Sequence, residues 1–145
     1  MLSKNFILIL ILFTLSGCGF HLRQSDLQIN FSQIEPKSER DRFVQIANTM
    51  GMIRSNKANI SISNLKIEPN LISTQNTGNK WRQYEYVAQW TLKDKNGKHQ
   101  VSANESLNLP SNQSPYQTEI ISDQLNGLRM QLLKNTRSVI FTPTS

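Results

Sequence analysis

Few residues in this chain are equipped for chemistry, and they do not gather. Cys18 carries the only thiol, and its thiolate is the nucleophile that acylation or disulfide exchange requires. The two histidines, His21 and His99, stand far apart, with no cluster of Cys, His or acidic residues beside either. No metal centre is therefore expected, and His21 reads as a tether or interface residue. Acidic residues are scattered singly, without the paired carboxylates of general acid–base work. Neither a Gly-x-Ser-x-Gly elbow nor a phosphate-cradling glycine loop occurs. The expectation is a protein without catalytic residues, cofactor or metal, and hence not an enzyme. One constellation suits binding instead. In Lys80-Trp81-Arg82 two cations flank an indole, so charge attracts a phosphate-bearing headgroup while the ring suits a wet-to-apolar boundary. A solvated strand start has the same composition, and the residues admit both readings.

The surroundings of the thiol say which chemistry it meets. Upstream lie one positive charge, Lys4, and an apolar run from Phe6 to Phe13. That is the charged and apolar layout of a secretory signal, too short for a membrane span of ~20 apolar residues. At its end stands Leu15-Ser16-Gly17-Cys18, with two small residues directly before the cysteine. The tetrad resembles the lipobox of bacterial lipoproteins, in which the thiol is diacylated and cleavage leaves cysteine first. Residues 1–17 are thus expected to be a lipoprotein signal peptide. Residues 18–145 are expected to form a single periplasm-facing domain, with Cys18 as its lipid attachment site.

Removing residues 1–17 from 145 leaves 128 residues, enough for one domain with one core. A single acylated cysteine permits no intramolecular disulfide, so packing alone must hold the fold. Without Lys4 the balance is 15 basic against 10 acidic side chains, or +5. Such a surplus in a cytosolic protein suggests nucleic acid, but export removes that partner and leaves anionic lipid or phosphate-bearing glycolipid. Ser, Thr, Asn and Gln make up over a third of the chain, a composition able to line a wet protein cavity.

These surfaces need elements to carry them. Leu27, Ile29 and Phe31 alternate with polar residues as a half-buried strand does. Ser38 and Asp41 suggest a helix start, followed by Phe43, Ile46, Ala47 and Met50 on one helical face, with Gly51 just past the end. Ile60 and Ile62 then give way to Leu65 and Ile67, a change of parity that predicts a bulge or a bend near Asn64. Glu68-Pro69 is expected to close that strand, leaving 70–80 as a polar loop. Tyr84, Tyr86, Ala88, Trp90 and Leu92 share one face of the next strand. Asn96-Gly97 predicts a type I′ turn into a return strand carrying Val101, Ala103, Leu107 and Leu109, with Glu105 marking an exposed portion. A last helix is predicted to start at Ser114-Pro115 or at Thr118. It carries Ile121, Leu125, Leu128 and Leu132, widened by Ile120 and Leu133, with Gly127 implying close packing. Lys134 and Arg137 are expected in its last turn. The order strand, helix, three strands, helix predicts an α+β two-layer sandwich, a four-stranded mixed sheet with two helices packed on one face.

Directly after the anchor the chain reads Cys18-Gly19-Phe20-His21-Leu22-Arg23. This stretch resembles the start of the mature LPS-assembly lipoprotein family LptE; over the rest of the chain the likeness lies in element order. The resemblance implies the same two-helix, four-stranded fold. It also implies a lipid-anchored protein of the Gram-negative cell outer membrane that plugs an LptD-type outer-membrane β-barrel, assists its assembly and binds lipopolysaccharide. Gly19, where aspartate would favour inner-membrane retention, fits outer-membrane sorting. The family's basic lipopolysaccharide contacts fall near Asn79 and Tyr116, neither of them basic, so Lys80 and Arg82 stand in by proximity.

Overall fold

The computed structural model of the chain describes residues 27–142 apart from 79, 118 and 119; Cys18 and His21 lie outside them. The elements run β1 (Leu27–Gln33), α1 (Lys37–Thr49), β2 (Met52–Arg54), β3 (Ser61–Gln75), β4 (Trp81–Asp94), β5 (Gly97–Pro110) and α2 (Asn126–Phe141). They build the expected α+β class: an open mixed sheet in the order β2-β1-β3-β4-β5, with both helices against one face. β1 pairs in parallel with β2 and β3, whereas β3, β4 and β5 are antiparallel. The sheet has five strands rather than four. β2 is only three residues long and buries only Met52, so it leaves no alternation to read in the sequence.

The clearest alternation is also the centre of the core. Tyr84, Tyr86, Ala88, Trp90 and Leu92 of β4 are buried beneath the helices. Against them pack Phe43 and Ala47 of α1 and Leu128, Leu132 and Leu133 of α2. The Phe43 and Trp90 rings lie 4.9 Å apart, tilted by 51°, a favourable aromatic geometry. The indole N–H of Trp90 donates to the Thr136 hydroxyl at 2.9 Å, which in turn donates to the Leu132 carbonyl. The buried indole N–H and the Thr136 hydroxyl are thereby both partnered.

Local departures from the sequence reading each have a cause. The bulge falls where the parity changes, with Asn64 at φ 55 and a register shift between Ser63 and Lys66. Pro69 does not close β3 but pairs with Tyr86 within it. β1 covers β3 only at Ser61–Ser63, so at Pro69 the far side of β3 is an open edge where no N–H is required. The loop is thereby shortened to 76–80. The β4–β5 turn sits one residue earlier than Asn96-Gly97, with Lys95 and Asn96 at its tip and Asp94 facing Gly97. Only Gly97 has positive φ, and the Asp94 carboxylate accepts the Asn96 N–H at 2.7 Å.

At the start of α1, Pro36 rather than Ser38 occupies the cap position, and no side chain caps the helix. Gly51 follows that helix at φ 74, as expected. Ser114–Gln117 is a turn, not a helix start: the Ser114 carbonyl accepts the Gln117 N–H, and its hydroxyl accepts that of Tyr116. Regular α2 begins only at Asn126. The predicted stripe is buried except for Ile120, which is exposed, but Ile121 and Leu125 precede the regular helix, which runs on past Lys134 and Arg137.

Candidate binding surfaces

Three surfaces follow from this architecture: the β3–β4 tip, the helix-free sheet face and the opposite end of the sandwich. At the tip, the Lys80 carbonyl accepts the Ser111 N–H at 3.1 Å, tying the start of β4 to the end of β5. An open cleft of ≈ 460 Å³ lies there, lined by Lys80, Trp81, Asn108, Leu109 and Pro110. Strand alternation divides the sequence triplet. Trp81 pairs with Pro110 and belongs to the helix-free face, while Arg82 pairs with Leu109 and shares the face of Tyr84. Lys80 and Trp81 therefore meet in one cleft, and Arg82 flanks it from the other face. Tyr116 is exposed, and so are Leu71 and Ile72 near the end of β3.

The helix-free face is built from the other half of the alternation. On β4 it presents Gln83, Glu85, Val87, Gln89 and Thr91, and on β5 Gln100, Ser102, Asn104, Ser106 and Asn108, with Lys93 and Lys98 at the hairpin end. β3 adds Ser61, Ser63, Lys66, Glu68 and Asn70. Its side chains bond mainly to one another: Asn104 donates to Glu85 at 2.8 Å and Gln100 to Thr91 at 3.1 Å. Uncharged hydrogen-bonding groups thus occupy most of the face, with spare donors and acceptors directed outward.

Beneath the opposite face lies a polar cluster that sequence reading missed. Arg129 of α2 is fully buried and meets Glu39 of α1 in a two-pronged contact, Nε to Oε2 at 3.0 Å and Nη2 to Oε1 at 2.8 Å. Its Nη1 donates to the Ser122 carbonyl at 2.6 Å and to Asn126 Oδ1 at 3.0 Å. Arg42 donates to the Ser122 hydroxyl from the side. The groups saturate one another and clamp helix to helix, leaving little capacity for a ligand. The available signal was positional. Glu39 lies four residues before Phe43 and Arg129 four after Leu125, so opposite charges interrupt the two apolar stripes.

Glu105 and Tyr86 complete the inventory. Glu105 is half-buried rather than exposed, its carboxylate lying 2.8 Å from where a Cβ on Gly127 would stand. The close packing implied by Gly127 is thus packing of this carboxylate against the first turn of α2, where the helix dipole favours negative charge. Tyr86 donates its hydroxyl to the Pro115 carbonyl at 3.0 Å and fastens the β5–α2 connection over the sheet. Burial, with a smaller contribution from Tyr84, pushes its phenol up to about 12. Among the described residues no group of three or more metal-ligating side chains occurs.

Fold and surfaces together define an open-faced α+β sandwich whose uncovered sheet face is polar. No protein-family model matches the chain, and a search of curated proteins finds no match. Among solved structures it is similar to a minor lipoprotein from Acinetobacter baumannii. Identity is 13%, the match covers 74% of this chain and 84% of that one, and the TM-score is 0.44. At that distance nothing of the relative's function is transferred.

Proposed function

We propose that this chain is a lipoprotein anchored in the outer membrane through acylated Cys18, acting by binding rather than catalysis as the partner and plug of an LptD-type barrel. In this role it assists barrel assembly and lipopolysaccharide transport. The observation that carries the reading is the helix-free sheet face, whose neutral hydrogen-bonding side chains suit the polar, hydrated interior of a barrel. The motif Cys18-Gly19-Phe20-His21-Leu22-Arg23 supports the choice of barrel. Lipopolysaccharide contact is assigned to Lys80 and Arg82, the tip cleft supplying an indole beside a cation.

A photo-crosslinking residue placed at Gln89 or Ser102 tests the face, with exposed Met130 of α2 as control. The expected result is a barrel adduct from the sheet positions, together with less folded barrel and greater permeability to large hydrophobic antibiotics on depletion. Persistence of barrel and permeability barrier after depletion, without adducts, overturns the assignment. It leaves a small outer-membrane lipoprotein acting as a structural or interaction module without lipopolysaccharide.

A further inference from the structure

The end of the sandwich opposite Lys80 gathers positive charge. β1 begins there, α2 ends there, and the β4–β5 hairpin turns there. Lys93 and Lys98 are direct partners across the hairpin, with Lys95 at its tip between them. Like charges directly opposite in a sheet are destabilising, so three lysines around one turn favour an anionic partner. Lys57 joins them from the 55–60 connection, and all four are exposed. The only acid within 55–60, 93–98 and 137–142 is Asp94. Its side chain is 7% exposed, lies 3.4 Å from His99 Nε2 and accepts the Asn96 amide. It also lines the cleft beside Lys95 and Asn96 and offsets one of the four lysine charges.

Apolar side chains also reach the surface at this end. Two clefts of ≈ 270 and ≈ 450 Å³ meet at Asn59 and Ile60, and their walls include Leu27, Ile140 and Phe141. Phe141 is 60% exposed, with the Arg137 guanidinium 5.9 Å from its ring centre. An exposed aromatic at an end that also carries exposed lysines, Lys57 lining its cleft, is the chemistry of a protein seated at the headgroup level of an anionic bilayer. Chain length gives the orientation. Leu27 is nine residues from Cys18 (27 − 18), a reach of at most ~32 Å. The Lys80 end lies roughly 45 Å farther along β4 at strand rise.

We propose that this end, marked by Lys57, Lys93, Lys95, Lys98 and Phe141, docks on the anionic headgroup surface of the bilayer that holds the anchor. The orientation rests on the proposed acylation of Cys18; the charge and the aromatic do not. In the chain not yet seated in a barrel, docking holds the Lys80 end away from the bilayer and limits rotation of the domain about its tether.

The full chain, purified with its N-terminal anchor, is reconstituted in phosphatidylcholine vesicles with or without phosphatidylglycerol. An environment-sensitive dye is placed at Asn96→Cys on the docking end or at Asn76→Cys on the other. The expected result is a blue shift and headgroup-quencher access for the dye at 96, only with phosphatidylglycerol and lost at high salt; the dye at 76 stays in water. Replacing the four lysines by glutamine lowers the docked-to-undocked ratio at least about a hundredfold, at roughly fivefold per lysine, without lowering the thermal midpoint, since it also removes the Lys93–Lys98 repulsion. Equal signals at 96 and 76, a signal indifferent to phosphatidylglycerol, or an unchanged quadruple variant overturns the proposal. Mass analysis of the Cys18 peptide decides acylation separately. If the thiol is unmodified, the anchor reading fails, and flotation of Cys18→Ala chains carrying the same dyes decides docking.

Discussion

Glu39→Gln is the most discriminating single change in the fold. It keeps the shape of the side chain and one acceptor oxygen but removes the charge opposite Arg129, whose guanidinium is fully buried. The remaining acceptors, the Ser122 carbonyl and Asn126 Oδ1, are neutral. An uncompensated cation in that position costs about 3–5 kcal/mol. For a domain of this size, at about 4 °C per kcal/mol, the thermal midpoint falls by roughly 12–20 °C. The complementary change Arg129→Met leaves Glu39 behind, and its side chain, 11% exposed near the start of α1, recovers some water. It should therefore destabilise less than Glu39→Gln. Replacing both by methionine removes the charge problem and returns stability to within about 1 kcal/mol of wild type, or above it. Urea unfolding followed by circular dichroism measures all four proteins side by side. A Glu39→Gln cost below about 1 kcal/mol at unchanged m-value would refute the clamp, as would a double variant worse than either single one.

Three further outcomes follow from other contacts. Tyr86 has a folded pKa raised from 10.0 to about 12. Stability from its neutral form is complete below pH 10 and lost as pH rises toward 12, by on the order of 2–3 kcal/mol; Tyr86→Phe should lose correspondingly less over that interval in urea titrations. Thr136→Val leaves the buried Trp90 N–H without its acceptor, costing about 1–3 kcal/mol; Thr136→Ser should restore most of it, and equal midpoints for Val and Ser variants would refute the contact's role. The double change Lys80→Ala and Arg82→Ala should weaken lipopolysaccharide binding most at low salt and leave the thermal midpoint nearly unchanged. Equal affinity for wild type and variant at low ionic strength returns both residues to a solvated strand start.

Elements with strong periodicity were legible because each residue there has one job. The five buried positions of β4 and the apolar stripe of α1 are such cases, and the parity change at Asn64 disclosed the bulge. Failures arose where a distant neighbour overrode a local signal. Pro69 reads as a strand stop, yet β1 ends its pairing before that point and leaves an edge that tolerates proline. Ser114-Pro115 reads as a helix start, but the Tyr86 hydroxyl holds the Pro115 carbonyl in a turn. The lysine cluster was equally hidden. Lys93 and Lys98 are five residues apart, and only the hairpin register sets them opposite each other. At the other end, alternation parted Arg82 from Trp81 and left Lys80 beside the ring.

The scarcity of charge on the helix-free sheet face away from the hairpin lysines bears on how quickly a partner can settle there. Long-range attraction raises encounter rates when complementary charges meet; without it, docking of two specific patches proceeds at about 10⁵–10⁶ per molar per second. Across most of this face Ser, Thr, Asn and Gln offer short-range hydrogen bonds and little field. A partner seated there would bind with an on-rate that hardly responds to ionic strength. Fast capture would depend on confinement, with a tether confining the search to a small volume and raising the local concentration that charge would otherwise have supplied.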